Sequence, residues 1–223
     1  MKKLSLLMAL LVLAGGMKAF GNSIVYNDPI GQGTQAWGGN LALTFNVNSP
    51  VSVDALGVFN ASGSGTITGP ISVAIYDIGT SSWVTPTVTF SGNYATAGLG
   101  YDVFQAITPV TLREGSYEVD AFGFSAADLN GNLNTGSSSG PLLNNLGGAL
   151  TFTGAAWDYD MTGLDAPTSC ATCQNGPSPQ NVQFDAGTFE VAPATVTPEP
   201  SSWLLLGTGL FSLAGMVRRK LRA

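Results

Sequence analysis

Trp157-Asp158-Tyr159-Asp160 places two flat aromatic rings among two carboxylates within four residues. These are the side chains a sugar site uses, since rings stack on the apolar face of a pyranose while carboxylates accept hydrogen bonds from its hydroxyls. Trp37, Trp83 and Tyr94 supply further rings that could join them, although the same residue types also serve as ordinary core or rim residues of a β-sandwich. A second run, Asp128-Leu129-Asn130-Gly131-Asn132, puts oxygen-bearing side chains at alternate positions around a glycine, a pattern able to wrap calcium. It lacks the downstream bidentate Glu of an EF-hand loop. Asp128, Asn130 and Asn132, together with Asp158 and Asp160, are the candidate calcium ligands, and no other cofactor is indicated.

Other chemistry is poorly supplied. The chain has no His, and its only cysteines are Cys170 and Cys173. A C-x-x-C spacing serves redox chemistry when it opens a helix and zinc when two more ligands exist, and neither condition is met here. An oxidising compartment would instead close the pair into a small local disulfide. Without a His, a body Lys or a glycine-rich phosphate loop, general acid-base, nucleophilic and phosphoryl-transfer chemistry lack their usual groups. A two-carboxylate glycosidase remains open in principle, but no acidic pair is singled out by spacing. The expectation is a protein that is not an enzyme.

The elements that must carry these residues read as strands throughout. Leu41, Leu43, Phe45 and Val47 alternate with Ala42, Thr44 and Asn46, the period of a half-buried strand, and Asn48-Ser49-Pro50 turns the chain. The apolar parity slips between Val53 and Leu56, which predicts a bulge near Asp54-Ala55. Residues 61–70 read as a Gly/Ser/Thr loop before Ile71, Val73 and Ile75 alternate up to a turn at Asp77-Ile78-Gly79. Further strands are predicted over 84–90, 101–107, 110–112, 117–124, 149–153 and 182–191, with Pro86 and Pro109 at edges or strand ends and a parity change near Gly187. No helical periodicity is sustained in this region. Short strands with glycine-rich turns predict an all-β fold, a single jelly-roll-like β-sandwich of eight or nine strands.

Both ends of the chain read as addresses. Lys2 and Lys3 precede an apolar core from Leu4 to Leu13, and Ala19-Phe20-Gly21 offers the small residues a signal peptidase reads, so residues 1–21 are a predicted signal peptide. Towards the other end, Pro198-Glu199-Pro200 precedes about fifteen uncharged residues from Trp203 to Val217, followed by Arg218-Arg219-Lys220. This is the order of a stop-transfer segment, a predicted transmembrane sorting helix that is short for a lasting anchor and weakened by Gly207, Gly209 and Gly215. Residues 198–223 resemble the PEP-CTERM sorting signal of Gram-negative, matrix-producing bacteria. The resemblance implies recognition by an exosortase-type processing enzyme, transient residence in the inner membrane, and a final place at the cell surface or in the extracellular matrix.

Between the two addresses lies a predicted domain of residues 22–197, which holds thirteen carboxylates against Arg113 alone, a formal charge of −12. Nucleic acid is excluded as a partner, because binding there depends on Lys and Arg neutralising phosphates. Net charge of this size also keeps an exported domain soluble. Within the domain, residues 48–59, 73–77 and 107–112, with Gly115 and Tyr117, resemble a β-sandwich domain of unknown function from secreted bacterial proteins. The resemblance covers roughly residues 36–130 and brings no catalytic residues. Trp83 and Pro86 depart from the plain strand expected after Gly79.

Two functions follow as expectations. One is a non-catalytic exported surface or matrix protein associated with exopolysaccharide or biofilm. The other is a carbohydrate-binding module, with calcium as a candidate aid. For the cysteines the expected outcome is that thiol-reactive labelling of native, unreduced protein finds no free thiol, whereas a labelled pair would restore the metal or redox reading. The bond should add little stability, because it closes a loop of only a few residues.

Overall fold

A computed structural model describes residues 22–27, 33–96, 100–132, 142–167 and 184–193. The signal segment, Cys170, Cys173 and the whole of 194–223, including Pro198, Glu199, Pro200, Arg218, Arg219 and Lys220, lie outside the described residues. The chain separates into two compact units, Met1–Pro193 and Ala194–Ala223, and everything below concerns the first. Among the described residues no helix is long and apolar enough to cross a membrane.

The fold is nearly all β. Its strands are β1 (Ser23–Ile24), β2 (Tyr26–Asn27), β3 (Asn40–Val47), β4 (Val51–Phe59), β5 (Thr66–Asp77), β6 (Ser82–Trp83), β7 (Val88–Asn93), β8 (Asp102–Leu112), β9 (Gly115–Phe122), β10 (Gly131–Asn132), β11 (Leu142–Leu143), β12 (Leu150–Trp157), β13 (Phe184–Asp185) and β14 (Gly187–Val191). A four-stranded sheet runs β1-β14-β4-β8, and a six-stranded sheet runs β12-β3-β9-β5-β6 with β7 also paired to β5. Every pairing is antiparallel. Alternating apolar residues turn one face of each sheet inward: Leu41, Leu43 and Phe45 on β3, Val73 and Ile75 on β5, and Val119 and Ala121 on β9 meet Val53, Leu56 and Val58 on β4 and Phe189 on β14. Phe45 is the hinge of this packing, 5.1 Å from Phe189 of the opposite sheet and stacked at 5.9 Å on Tyr117 of its own. The Tyr117 hydroxyl donates to the Arg113 carbonyl at 3.0 Å, closing the turn from β8 to β9.

The predicted bulge is present. Pairing of β4 with β8 shifts register between Val53 and Ala55, and β14 shifts opposite the same point between Glu190 and Val191. Ala186 interrupts β13 and β14, where the second parity change was expected. Three boundaries differ from the sequence reading. β5 begins at Thr66 rather than Ile71, because Thr66 and Ile67 pair with Asn93 and Gly92 of β7, and in the register shift that follows the Asp128 carboxylate accepts from the amides of Thr68 (2.9 and 3.0 Å) and Gly69 (2.7 Å). β8 continues through Pro109, which is tolerated because β8 is an edge strand and loses no inward ladder bond. The strand expected over 84–90 is split: Val84 still donates to Ile75 at 2.9 Å, and the Thr85 hydroxyl accepts from the Ile75 amide at 2.9 Å, before β7 resumes at Val88 beyond Pro86.

The larger correction concerns β3, which is buried on both faces rather than half-buried. Ala42 and Thr44 on its outer face are 1% exposed, and their neighbours Ala74 on β5 and Glu118 and Asp120 on β9 are fully buried. Burial on this face pushes the Asp120 carboxyl well above the ordinary 3.8, and nearby Glu118, Asp158 and Asp165 push it the same way. The strands flanking Asp120 contribute only Ala42 and Ala74 beside it, so they offer no compensating charge.

Two outcomes are expected. Phe189→Ala removes a fully buried ring between the sheets and should lower stability by about 3–5 kcal/mol in urea unfolding. Asp120→Asn should change how stability depends on pH. The folded protein holds the Asp120 proton more tightly than the unfolded chain does, so its stability contribution is complete below the unfolded value of about 4 and declines as pH rises towards the folded value. In buffer with chelator, the variant should therefore gain on wild type as pH climbs above about 4, and a constant difference would contradict the assignment.

Candidate functional site

Three of the five candidate sugar-stacking residues converge. Trp157 ends β12, Tyr159 follows it, and Trp37 arrives from the run before β3. Ring centroids lie 5.3 Å apart for Trp37 and Trp157, 4.9 Å for Trp37 and Tyr159, and 5.0 Å for Trp157 and Tyr159. Two of the three contacts are edge-to-face, the arrangement favoured by ring quadrupoles. Trp37 and Trp157 are half-buried, Tyr159 is 53% exposed, and Met161 beside them is 64% exposed. Trp83 does not join. It lies at the opposite edge of the sheet, 5.1 Å from Tyr76, and Tyr94 likewise packs on Phe90 at 5.4 Å.

The cluster is held by its backbone. Trp37 Nε1 donates to the Asp158 carbonyl at 3.1 Å, and the Trp37 amide donates to Asn130 Oδ1 at 3.2 Å. Gly39 permits this approach, because a Cβ there would collide with the Asp158 carbonyl oxygen. Asn40, fully buried, is the residue that sequence reasoning missed. Its Nδ2 donates to Asp158 Oδ1 (3.1 Å) and to the carbonyls of Asp160 (3.4 Å) and Gly163 (3.2 Å), while its Oδ1 accepts from the Asp165 amide at 2.9 Å. One side chain thus fixes the whole segment from Asp158 to Asp165. The only local signal was Gly38-Gly39-Asn40 at the mouth of a strand.

The two carboxylates beside the rings differ in role. Asp160 accepts from the Thr162 hydroxyl (2.7 Å) and amide (2.8 Å), which hold its carboxyl below the ordinary range and keep it ionised. An ionised carboxylate next to exposed rings can accept from a sugar hydroxyl. Asp158 is fully buried instead, and its Oδ1 accepts from the amide of Asn40 (3.3 Å), from Asn40 Nδ2 and from the Asp160 amide (3.0 Å).

The oxygens of the Asp128 run are engaged structurally. Asp128 caps the start of β5, and Asn130 Oδ1 serves the Trp37 amide. Asn130 Nδ2 (3.1 Å) and Asn132 Nδ2 (3.0 Å) both donate to Gln35 Oε1, tying residues 34–37 to β10. Among the described residues no group of three or more His, Cys, Asp or Glu is placed to hold a metal ion.

A family model for the PEP-CTERM protein-sorting motif matches residues 196–220, and no curated protein matches the chain. The motif implies export, a transient stay in the membrane and processing by exosortase. The chain therefore carries a PEP-CTERM protein-sorting motif behind a β-rich domain of unknown function.

Proposed function

We propose that this chain is a non-catalytic protein of the cell surface or extracellular matrix of a Gram-negative bacterium, and that its domain associates with exopolysaccharide. The sorting motif at 196–220 carries the reading, because it supplies a route to the surface. A signal peptidase acting after Gly21 would precede the exosortase step. The absence of His from the sequence and of Lys from residues 22–197 fits a role without catalysis. So does Asp158, whose burial removes it from any surface carboxylate pair with Asp160.

A carbohydrate-binding module is the second reading, favoured by the meeting of Trp37, Trp157 and Tyr159 beside the ionised Asp160. Tyr159 is the most exposed of the three rings and would be the first to meet a sugar. The two readings join if the rings are the point at which the matrix polymer is held.

Two measurements test this. Intact mass of the protein recovered from the cell surface should show a species ending near Thr197, and recovery of chains still ending at Ala223 would overturn processing. Sedimentation with the producer's own polysaccharide should retain the wild type. Tyr159→Ala and Trp157→Ala should each weaken retention by about 3- to 10-fold, with Trp83→Ala unchanged. Equal retention of all four proteins would remove the rings from the function.

A further inference from the structure

The outer face of the six-stranded sheet gathers carboxylate oxygens that accept no hydrogen bond. Asp120, fully buried on β9, has none at either oxygen. Its register partners are Ala42 on β3 and Ala74 on β5, so methyl groups flank it on both sides. Asp158, also fully buried, leaves its Oδ2 without a partner while Oδ1 is engaged by Asn40 and Asp160. The Asp158 amide donates to the Asn40 carbonyl at 3.2 Å, which continues the pairing of β12 with β3. Asn40, Ala42 and Asp120 share one face by strand parity, and Asp158 reaches that face through its bonds to the Asn40 side chain. Ala42 pairs with Asp120 on one side and Ala156 on the other, so small side chains line this part of the face.

Above them runs the segment from Asp158 to Pro167, clamped by Asn40 through the carbonyls of Asp160 and Gly163 and the amide of Asp165. Among the described residues no protein cation is at hand. Arg113 is the only Lys or Arg in residues 22–197, and it is exposed at the turn between β8 and β9. Burying carboxylates without a partner is expensive, and a proton answers it only in part, since it removes the charge yet adds a donor that itself needs an acceptor. A cation answers both.

We propose that Asp120 and Asp158 are the anionic ligands of a divalent cation of the calcium class, seated between the outer face of the sheet and the 158–167 segment. Neutral oxygens and water would complete its shell. Among the described residues no three His, Cys, Asp or Glu side chains are grouped for a metal, so the site has about two carboxylates. Calcium suits that composition, because it takes 6–8 oxygens and mixes carboxylates with carbonyls, amides and water, whereas zinc and copper seek nitrogen and sulfur. The site differs from the Asp128 run, in which the oxygens of Asp128 and Asn130 are engaged by backbone amides. It holds whether or not the rings bind sugar.

The test uses the full chain in non-ionic detergent, with thermal unfolding followed in chelator, calcium, magnesium and monovalent salt at matched ionic strength. Calcium at a hundredfold excess over its dissociation constant should raise the midpoint by roughly 5–10 °C. Asp120→Asn should abolish the calcium shift while unfolding higher than wild type in chelator, and Asp128→Asn should keep the shift. Terbium should show luminescence sensitised by Trp157, next to Asp158, and calcium should displace it. That measurement on wild type decides the matter if Asp120→Asn fails to fold. No calcium-specific shift, an equal shift in Asp120→Asn, or no terbium signal would each overturn the proposal and leave Asp120 as a buried protonated acid.

Discussion

The constraint on which the rest depends is that β3 and β9 are covered on both faces. A sandwich sheet normally presents one face to its partner and the other to water, which lets outward positions be large and polar. Here the inward faces of β3 and β9 pack Leu43, Phe45 and Val119 against the four-stranded sheet, while the outward faces hold Ala42, Thr44, Glu118 and Asp120 out of solvent. Small residues on the outward side follow from this, since a chain segment must lie close above them. So does the role of Asn40. A covering segment needs its backbone polar groups satisfied, and Asn40 supplies both donors and an acceptor to residues 158–165 from a fully buried position.

Much of the inner architecture was legible because it rests on alternation. Leu41 to Val47 and Ile71 to Ile75 point every second residue at one core, and a parity slip at Asp54 can be met only by a bulge. The outer face was not legible for the same reason. Ala42, Thr44 and Asn46 look like solvent-facing residues in any strand, and nothing within β3 states that residues more than a hundred positions later will cover them. The polar start of β5 was lost in a similar way, since it pairs with Asn93 and Gly92 of β7 and the amides its register shift leaves over are met by Asp128, about sixty residues downstream.

The candidate site divides along the same line. Trp157 and Tyr159 were visible as a local cluster, and Trp37 belongs with them through a bond from its indole to the Asp158 carbonyl. Trp83 had equal claim by residue type, yet β6 carries it to the far edge of the sheet. The alternating oxygens of Asp128 to Asn132 match an ion-binding pattern, and in the fold those of Asp128 and Asn130 accept from the backbone amides of Thr68, Gly69 and Trp37. A local pattern of donors cannot reveal which partners the fold will bring to it.

Asp158 is where the two regions meet, and it shows how the formal charge of −12 over residues 22–197 is distributed. Its carbonyl orients the Trp37 ring, its Oδ1 fixes the start of the covering segment, and its Oδ2 faces no hydrogen-bond donor. Exposed acids such as Glu114 are screened by water and salt and add little strain. Asp120 lacks that relief, since it is buried and Glu118, Asp158 and Asp165 lie near enough to repel its charge. Whatever neutralises Asp120 and Asp158 also steadies the backbone on which the three rings stand. The order of the ring cluster and the charge state of the buried acids are therefore one physical problem, joined through a single residue.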